Sequence, residues 1–242
     1  MSLTLRIDNN IATIEFDHPD AKVNILTSDV MQHFGKILEE VKAKQGLKAL
    51  VLISKKKDIF IAGADIKEIE GITQMAEGVA KSRAGQDILN QLEELPLSTI
   101  AVIDGVALGG GCELALACRY RIATFNEKIR IGLPEVNLGF VPGFGGTYRL
   151  PRLLGLTEGL KMIVSAKTVS GQQALKIGLI DRLYPQAGLQ LYIKTFIEEV
   201  AASPKRKFAR KPAKGLPGLM ERYFIGQQII FSETEKSILK ST

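Results

Sequence analysis

The amino-acid sequence predicts an α/β protein, and three observations carry the prediction. Apolar, strand-like runs alternate with segments whose apolar residues recur at helical spacing. A strand, a glycine-rich turn and a helical pattern follow one another more than once. The 242 residues are 45% hydrophobic and 24% charged, the composition of an ordinary globular protein able to bury a sizeable core in one large domain or two small ones.

From the N-terminus, LTLRI and IATIEF flank the turn signal DNN and predict a hairpin. Thr27 is a good N-cap for a helix on which Val30, Phe34, Ile37, Leu38 and Val41 share one face. KALVLIS reads as a buried strand and KKKDIFIAGADI as the loop after it. A helix is expected from Gln74 to Leu95, ended by Pro96, and STIAVIDGVAL is expected as the next strand. That strand runs into Gly109, Gly110 and Gly111 and then a helical pattern. YRIATF and KIRIGL read as short strands. Helices follow over Pro151 to Ser165, over Ser170 to Gly178 with Ser170 as N-cap, and over Gly188 to Ala202. Beyond a basic linker, Leu216 to Lys240 reads as one or two more helices.

Several function classes are argued against. No apolar run approaches the roughly 18 to 20 residues of a membrane span. The opening MSLTLRIDNNIATIEF has no basic region leading into an apolar stretch, so no secretory leader is expected. Cys112 and Cys118 sit six apart in a predicted helix, where they cannot pair, and read as small buried hydrophobes of a reducing compartment. The net charge of +6 is local: Lys205, Arg206, Lys207, Arg210, Lys211 and Lys214 in PKRKFARKPAK account for all of it. That stretch reads either as a solvated linker or as a patch for polyanions. His18 and His33 are the only histidines, and no metal site is expected.

The glycine runs fail the nucleotide-binding patterns. A dinucleotide fingerprint would need glycine at Leu114 or at Tyr148, and no Lys-Ser or Lys-Thr follows a suitably spaced pair for a P-loop. No G-x-S-x-G elbow is present. Backbone and carboxylate chemistry remain. Amides at a helix start are unpaired and carry the positive end of the macrodipole, so Gly110 can stabilise a developing oxyanion. Glu113, one turn on among small and apolar residues, would overlook the same spot, where an isolated carboxylate costs several kcal/mol unless protonated or paired. FIAGADIKEI is a second glycine-bearing loop after an apolar strand; it reads as a partner donor at Ala64 or as a strand-to-helix turn capped by Asp65. Glu135, among Leu133, Val136 and Leu138, is a second half-buried carboxylate or a solvated loop charge. Two carboxylates in one apolar pocket would have their pKa values pushed apart, giving an acid and a base.

Together, IAGADIKEI, GVALGGGCELALACRYRIAT and GLPEVNLGFVPGFGGTYRLPRLLG resemble the crotonase (enoyl-CoA hydratase/isomerase) superfamily in order and spacing, over about residues 3–200. ACRYRIAT and KGLPGL look more like the N-terminal hydratase domain of the multifunctional fatty-acid oxidation α subunit than like a stand-alone hydratase. The resemblance implies a spiral of ββα units with a helical C-terminal region. It divides the chain into a catalytic core, 1–200, and a basic linker with a helical segment, 201–242. It implies a CoA thioester substrate, an oxyanion hole from the amides of Ala64 and Gly110, Glu113 as general base and Glu135 as general acid, and a water held at Gly143. CoA would lie along Val23, Ala62, Ala64, Asp65 and Ile66, arriving as part of the substrate with no permanently bound cofactor.

The reaction so implied is hydration of a 2-enoyl-CoA to a 3-hydroxyacyl-CoA in fatty acid β-oxidation, preferred because both carboxylates are present; Δ3,Δ2-enoyl-CoA isomerisation is the alternative. Tyr148 stands where the family usually has Gln, which predicts an altered contact behind the site. The chain ends near the point where the α subunit continues into a dehydrogenase domain, so a fragment of a longer protein is expected. A homo-oligomer or a thiolase β subunit is the expected partner, in the bacterial cytoplasm or an organelle matrix. The rival from another class is an RNA-binding member of the fold, resting on PKRKFARKPAK alone.

Overall fold

The computed structural model describes residues 2–201, together with 227, 228, 230–232 and 234. Strands β1 (Ser2–Asp8) and β2 (Ile11–Asp17) form the predicted antiparallel hairpin, with Asn9 and Asn10 at φ 48° and 65° in the turn. Ala12, Ile14 and Phe16 alternate into the core from β2. Helix α1 (Ser28–Ala43) starts where Thr27 accepts a hydrogen bond from the Val30 amide, and it buries the predicted face.

Three ββα turns follow. The first is β3 (Ala49–Ser54), β4 (Asp58–Ile61) and the helices α2 (Ile66–Glu70) and α3 (Met75–Glu94). The second is β5 (Ser98–Ile103), β6 (Gly105–Leu108) and α4 (Gly110–Ala117). The third is β7 (Tyr120–Thr124), β8 (Arg130–Gly132), a 3-10 turn at Glu135–Leu138, and α5 (Gly146–Leu154), α6 (Leu156–Val164) and α7 (Gly171–Ile177). Strand β9 (Arg182–Tyr184) and α8 (Leu189–Ala201) complete the described chain before residue 202. In each turn the first strand enters a six-stranded sheet, β1-β2-β3-β5-β7-β9, parallel apart from the hairpin. The second enters a small parallel sheet, β4-β6-β8, which makes the path a spiral of ββα units.

The main core lies on one face of the large sheet, where Phe16 packs against Phe34 and Phe60 with ring centroids 5.9 and 6.3 Å away. On the other face α8 lays Ile193, Phe196, Ile197 and Val200 over Val51, Ile100 and Ile122. Strand β5, buried throughout, is apolar from Ile100 to Ile103 because both its faces are covered.

Four expectations need correction. Asp58–Ile61, read as loop, is a strand, because it pairs with a distant strand, β6, that local pattern cannot reveal. STIAVIDGVAL is not one strand: it breaks at Asp104 into β5 and β6, which join different sheets. The helix read as starting at Pro151 begins at Gly146 and breaks at Gly155, whose φ is 95°. Its start depends on a cap supplied from α4, described below. Strand β9 and the 3-10 turn were not expected at all. The basic stretch Lys205–Lys214 lies outside the described residues, as does most of Leu216 to Lys240; the six described residues between 227 and 234 are helical. Among the described residues no helix is long and apolar enough to cross a membrane.

Gly105 marks the switch between sheets, and a Cβ there would lie 2.0 Å from the Asp58 carbonyl carbon. Gly105→Ala therefore pushes β6 off β4 and is expected to cost about 3 kcal/mol or prevent folding, read from the urea midpoint. A midpoint unchanged from the parent would contradict this packing.

Candidate active site

A cavity of about 750 Å³ opens between α2, α3, the start of α4 and the 134–144 segment. Ala64 borders it in a parallel bridge with Leu26. That bridge uses the Leu26 amide, 2.8 Å from the Gly63 oxygen, and the Asp65 amide, 3.1 Å from the Leu26 oxygen, leaving the Ala64 N–H out of it. Gly110, the first residue of α4, lies beside it: a Cβ on Gly110 would be 3.4 Å from the Ala64 nitrogen. Two unpaired-type donors of different elements thus meet at one point of the wall, at a helix N-terminus. Gly109, at φ 49°, makes the turn that brings the chain from β6 into α4.

Glu113 is 2% exposed and lines the cavity one turn into α4. Its Oε1 accepts from the amides of Phe144 at 2.8 Å and Gly146 at 2.7 Å, so the carboxylate caps the start of α5. Burial pushes its carboxyl up to about 7, the charge of Glu135 adding to the effect, while the Gly146 and Phe144 amides and Arg149 pull the other way. Glu135, at the head of the 3-10 turn, also lines the cavity. Its Oε1 would be 3.1 Å from a Cβ on Gly109, and its buried Oε2 has no hydrogen-bond partner. Burial raises this carboxyl too. Burial raises both, and what separates them is their partners: the Phe144 and Gly146 amides hold Oε1 of Glu113, whereas Glu135 bonds only to its own backbone amide and its Oε2 has no partner.

Of the other predicted positions, Ala62, Ile66 and Gly143 line the cavity. Gly143 accepts at its oxygen from Gln86 on α3 at 2.8 Å, and it is Phe144 and Gly146, rather than Gly143, whose amides reach Glu113. Val23 and Asp65 lie off the lining; Asp65 caps α2 by accepting from the Lys67 amide at 2.9 Å. The strand-to-helix turn reading of FIAGADIKEI thus holds at Asp65, and the adjacent Ala64 amide lies beside Gly110. Ile72, Gly78, Ala84 and Gly85 form part of the wall, and Gly85 is where the Phe144 ring sits, 2.3 Å from the place of a Cβ.

Three residues at the site escaped sequence reasoning. Arg149, 2% exposed, reaches from α5 to Glu93 and Asn90 on α3. Glu68 on α2 accepts from the Ser28 amide and pairs with its hydroxyl, tying α2 to the start of α1. Gln86 holds the Gly143 carbonyl. Only a buried-looking Arg in YRLPRLL offered a signal. Tyr148 does not alter a contact behind the site: it is 56% exposed and lies under the Arg152 guanidinium, 4.6 Å from the ring centre. Cys112 and Cys118 are free and buried, with burial the first cause holding both thiols protonated, Cys118 at about 12. Among the described residues no group of His, Cys, Asp and Glu could hold a metal.

Residues 6–213 match the model of the enoyl-CoA hydratase/isomerase family. The fatty acid oxidation complex subunit alpha of Shewanella halifaxensis is 39% identical over 98% of this chain and 33% of its own length. That of Vibrio campbellii is 38% identical over 100% of this chain and 34% of its own. The chain thus spans about a third of these relatives. The crystal structure of an enoyl-CoA hydratase from Bacillus anthracis superposes with a TM-score of 0.76 at 27% identity, covering 99% of this chain and 92% of that one.

A carboxyl raised from 4.5 to about 7 binds its proton more tightly in the folded state. Its contribution to stability is full below pH 4.5 and is lost as the pH rises through about 7, a change on the order of 3 kcal/mol. Glu113→Gln removes the titration, so its stability relative to the parent should rise by that order between pH 4.5 and 8 in urea denaturation. A pH-independent difference would contradict the raised carboxyl.

Proposed function

The chain belongs to the enoyl-CoA hydratase/isomerase family, and from that premise we propose that it adds water across the 2,3 double bond of a 2-enoyl-CoA to give a 3-hydroxyacyl-CoA. The observation that carries this reading is the pair of buried carboxyls, Glu113 and Glu135, in one cavity with the Ala64 and Gly110 amides. The names of the relatives support a place for the reaction in fatty acid oxidation.

In this reading the two amides bond to the thioester oxygen, drawing electron density from the double bond and making C3 electrophilic. Glu113 takes a proton from water as the water oxygen bonds to C3. Its raised carboxyl suits a base that must hold a proton and release it near neutrality. The electron pair of the double bond moves into an enolate held by Ala64 and Gly110, and Glu135 gives its proton to C2. Gly143, in the loop beside Glu113, is the position we assign to holding the water. CoA enters as part of the substrate along Ala62, Ala64 and Ile66, with Val23 and Asp65 bordering that strip, and the reaction needs no resident cofactor. The partner of the whole protein in this reading is a second copy or a thiolase β subunit, and the bacterial relatives support a cytoplasmic setting.

One observation favours a second activity. Oε2 of Glu135 has no hydrogen-bond partner, which leaves it able to carry a proton between C2 and C4 in Δ3,Δ2 isomerisation.

Crotonyl-CoA and decenoyl-CoA should lose their conjugated enoyl-thioester absorbance with the parent. Glu113→Gln and Glu135→Gln should each lower kcat by about 10²- to 10⁴-fold with a smaller change in KM. Full activity in either variant would overturn its assigned role, and loss of 3-enoyl-CoA turnover in Glu135→Gln tests the second activity.

A further inference from the structure

Arg149 is a buried cation to which the proposed chemistry gives no task. Its guanidinium is shared three ways: Nε to Glu93 Oε2 at 2.8 Å, Nη2 to Asn90 Oδ1 at 2.6 Å, and Nη1 to the Phe144 carbonyl at 2.9 Å. Asn90 and Glu93 are three apart on α3, so the fork ties the 143–146 loop to the flank of that helix.

The Phe144 carbonyl lies between the two amides that hold Glu113, those of Phe144 and Gly146. Gly145, at φ 99° and ψ 13°, bends the chain so that both N–H groups converge on one oxygen, a backbone nest for an anion. The carbonyl between them then bonds to Arg149. Room for the guanidinium exists because residue 145 is glycine: a Cβ there would lie 2.4 Å from Nη1.

We propose that Arg149 is a positioning residue for the general base, pinning the Phe144 carbonyl so that the flanking amides hold Glu113 in its ionised form. The inference rests on the hydratase reading for its catalytic consequence, though not for its effect on the carboxyl. The charged and titratable groups around Glu113 are consistent with it. Glu135 on the 3-10 turn opposes ionisation, Cys112 on α4 itself is protonated, and Arg149 on α5 favours ionisation. On α3, Glu93 is paired with Arg149, and Lys81, paired with Glu77, lines the cavity further out; Glu68 on α2 is bonded to Ser28.

The test is a pH titration of the full chain labelled with ¹³C at the glutamate carboxyls, the Glu113 signal being identified by its absence from Glu113→Gln. The parent midpoint is expected near 7. Arg149→Gln should move it up by on the order of one unit, and Arg149→Lys, which keeps the charge and one donor, by less than half as much. In hydration of crotonyl-CoA the acidic limb of kcat should move by the same amount, with KM held within about twofold, so that turnover at pH 6 falls roughly tenfold. An unmoved midpoint in Arg149→Gln with native circular dichroism overturns the proposal. Should that variant not fold, Asn90→Ala, which removes one arm of the fork, is expected to raise the midpoint by a smaller step; an unmoved midpoint there overturns it equally. A parent that titrates near 7 yet hydrates no enoyl-CoA sinks the hydratase reading alone, and the carboxyl titration still decides the role of Arg149.

Discussion

The carboxylate of Glu113 is the interaction on which the site and its surroundings depend. It sits at the start of α4 and accepts from the amides that begin α5, so one side chain joins two turns of the spiral. A helix start leaves N–H groups that water cannot reach in an apolar interior, and a buried carboxylate lacks the donors that would stabilise its charge. Each supplies what the other needs. The arrangement leaves the acid at about 7, a compromise between burial and two strong donors. The capping of α5 and the acidity of this carboxyl are therefore set by the same geometry.

The small sheet makes that geometry possible. Strands β4, β6 and β8 are short, and the helices or turns that follow β4 and β6 start at the cavity, with Ala64 after one and Gly110 after the other. Close approach of these ends requires small residues. At Gly111 a Cβ would stand 2.3 Å from the Ile61 oxygen, so α4 could not lie against β4 with any larger side chain there.

Much of this was legible in the residues. The N-caps Thr27 and Ser170 and the alternation in IATIEF are local signals, and the structure obeys them. Glu113, Glu135 and the Gly110 turn were legible for a different reason, since a charge in an apolar frame and a glycine run are both costly unless used. Local reading failed wherever the cause lies far along the chain. DIFI is a strand because of its pairing with β6, and α5 starts at Gly146 because Glu113, thirty-three residues earlier, satisfies its amides. Arg149 was hidden for the same reason: its partners Asn90 and Glu93, 59 and 56 residues earlier, meet it only in the fold.

Helix α2 closes one side of the cavity, and it is attached differently from α3 and α4, which bury side chains in the core. None of its five residues is buried, and its ties are hydrogen bonds: Asp65 at its own start and Glu68 to Ser28. Separating α2 from α1 exchanges the Glu68–Ser28 bonds for bonds to water and takes no buried α2 side chain out of the core, so its local opening free energy is low beside that of α3 or α4. Loosening at α2 therefore leaves the packed interior shut, so this edge of the cavity wall can give way without the strands beneath it unfolding.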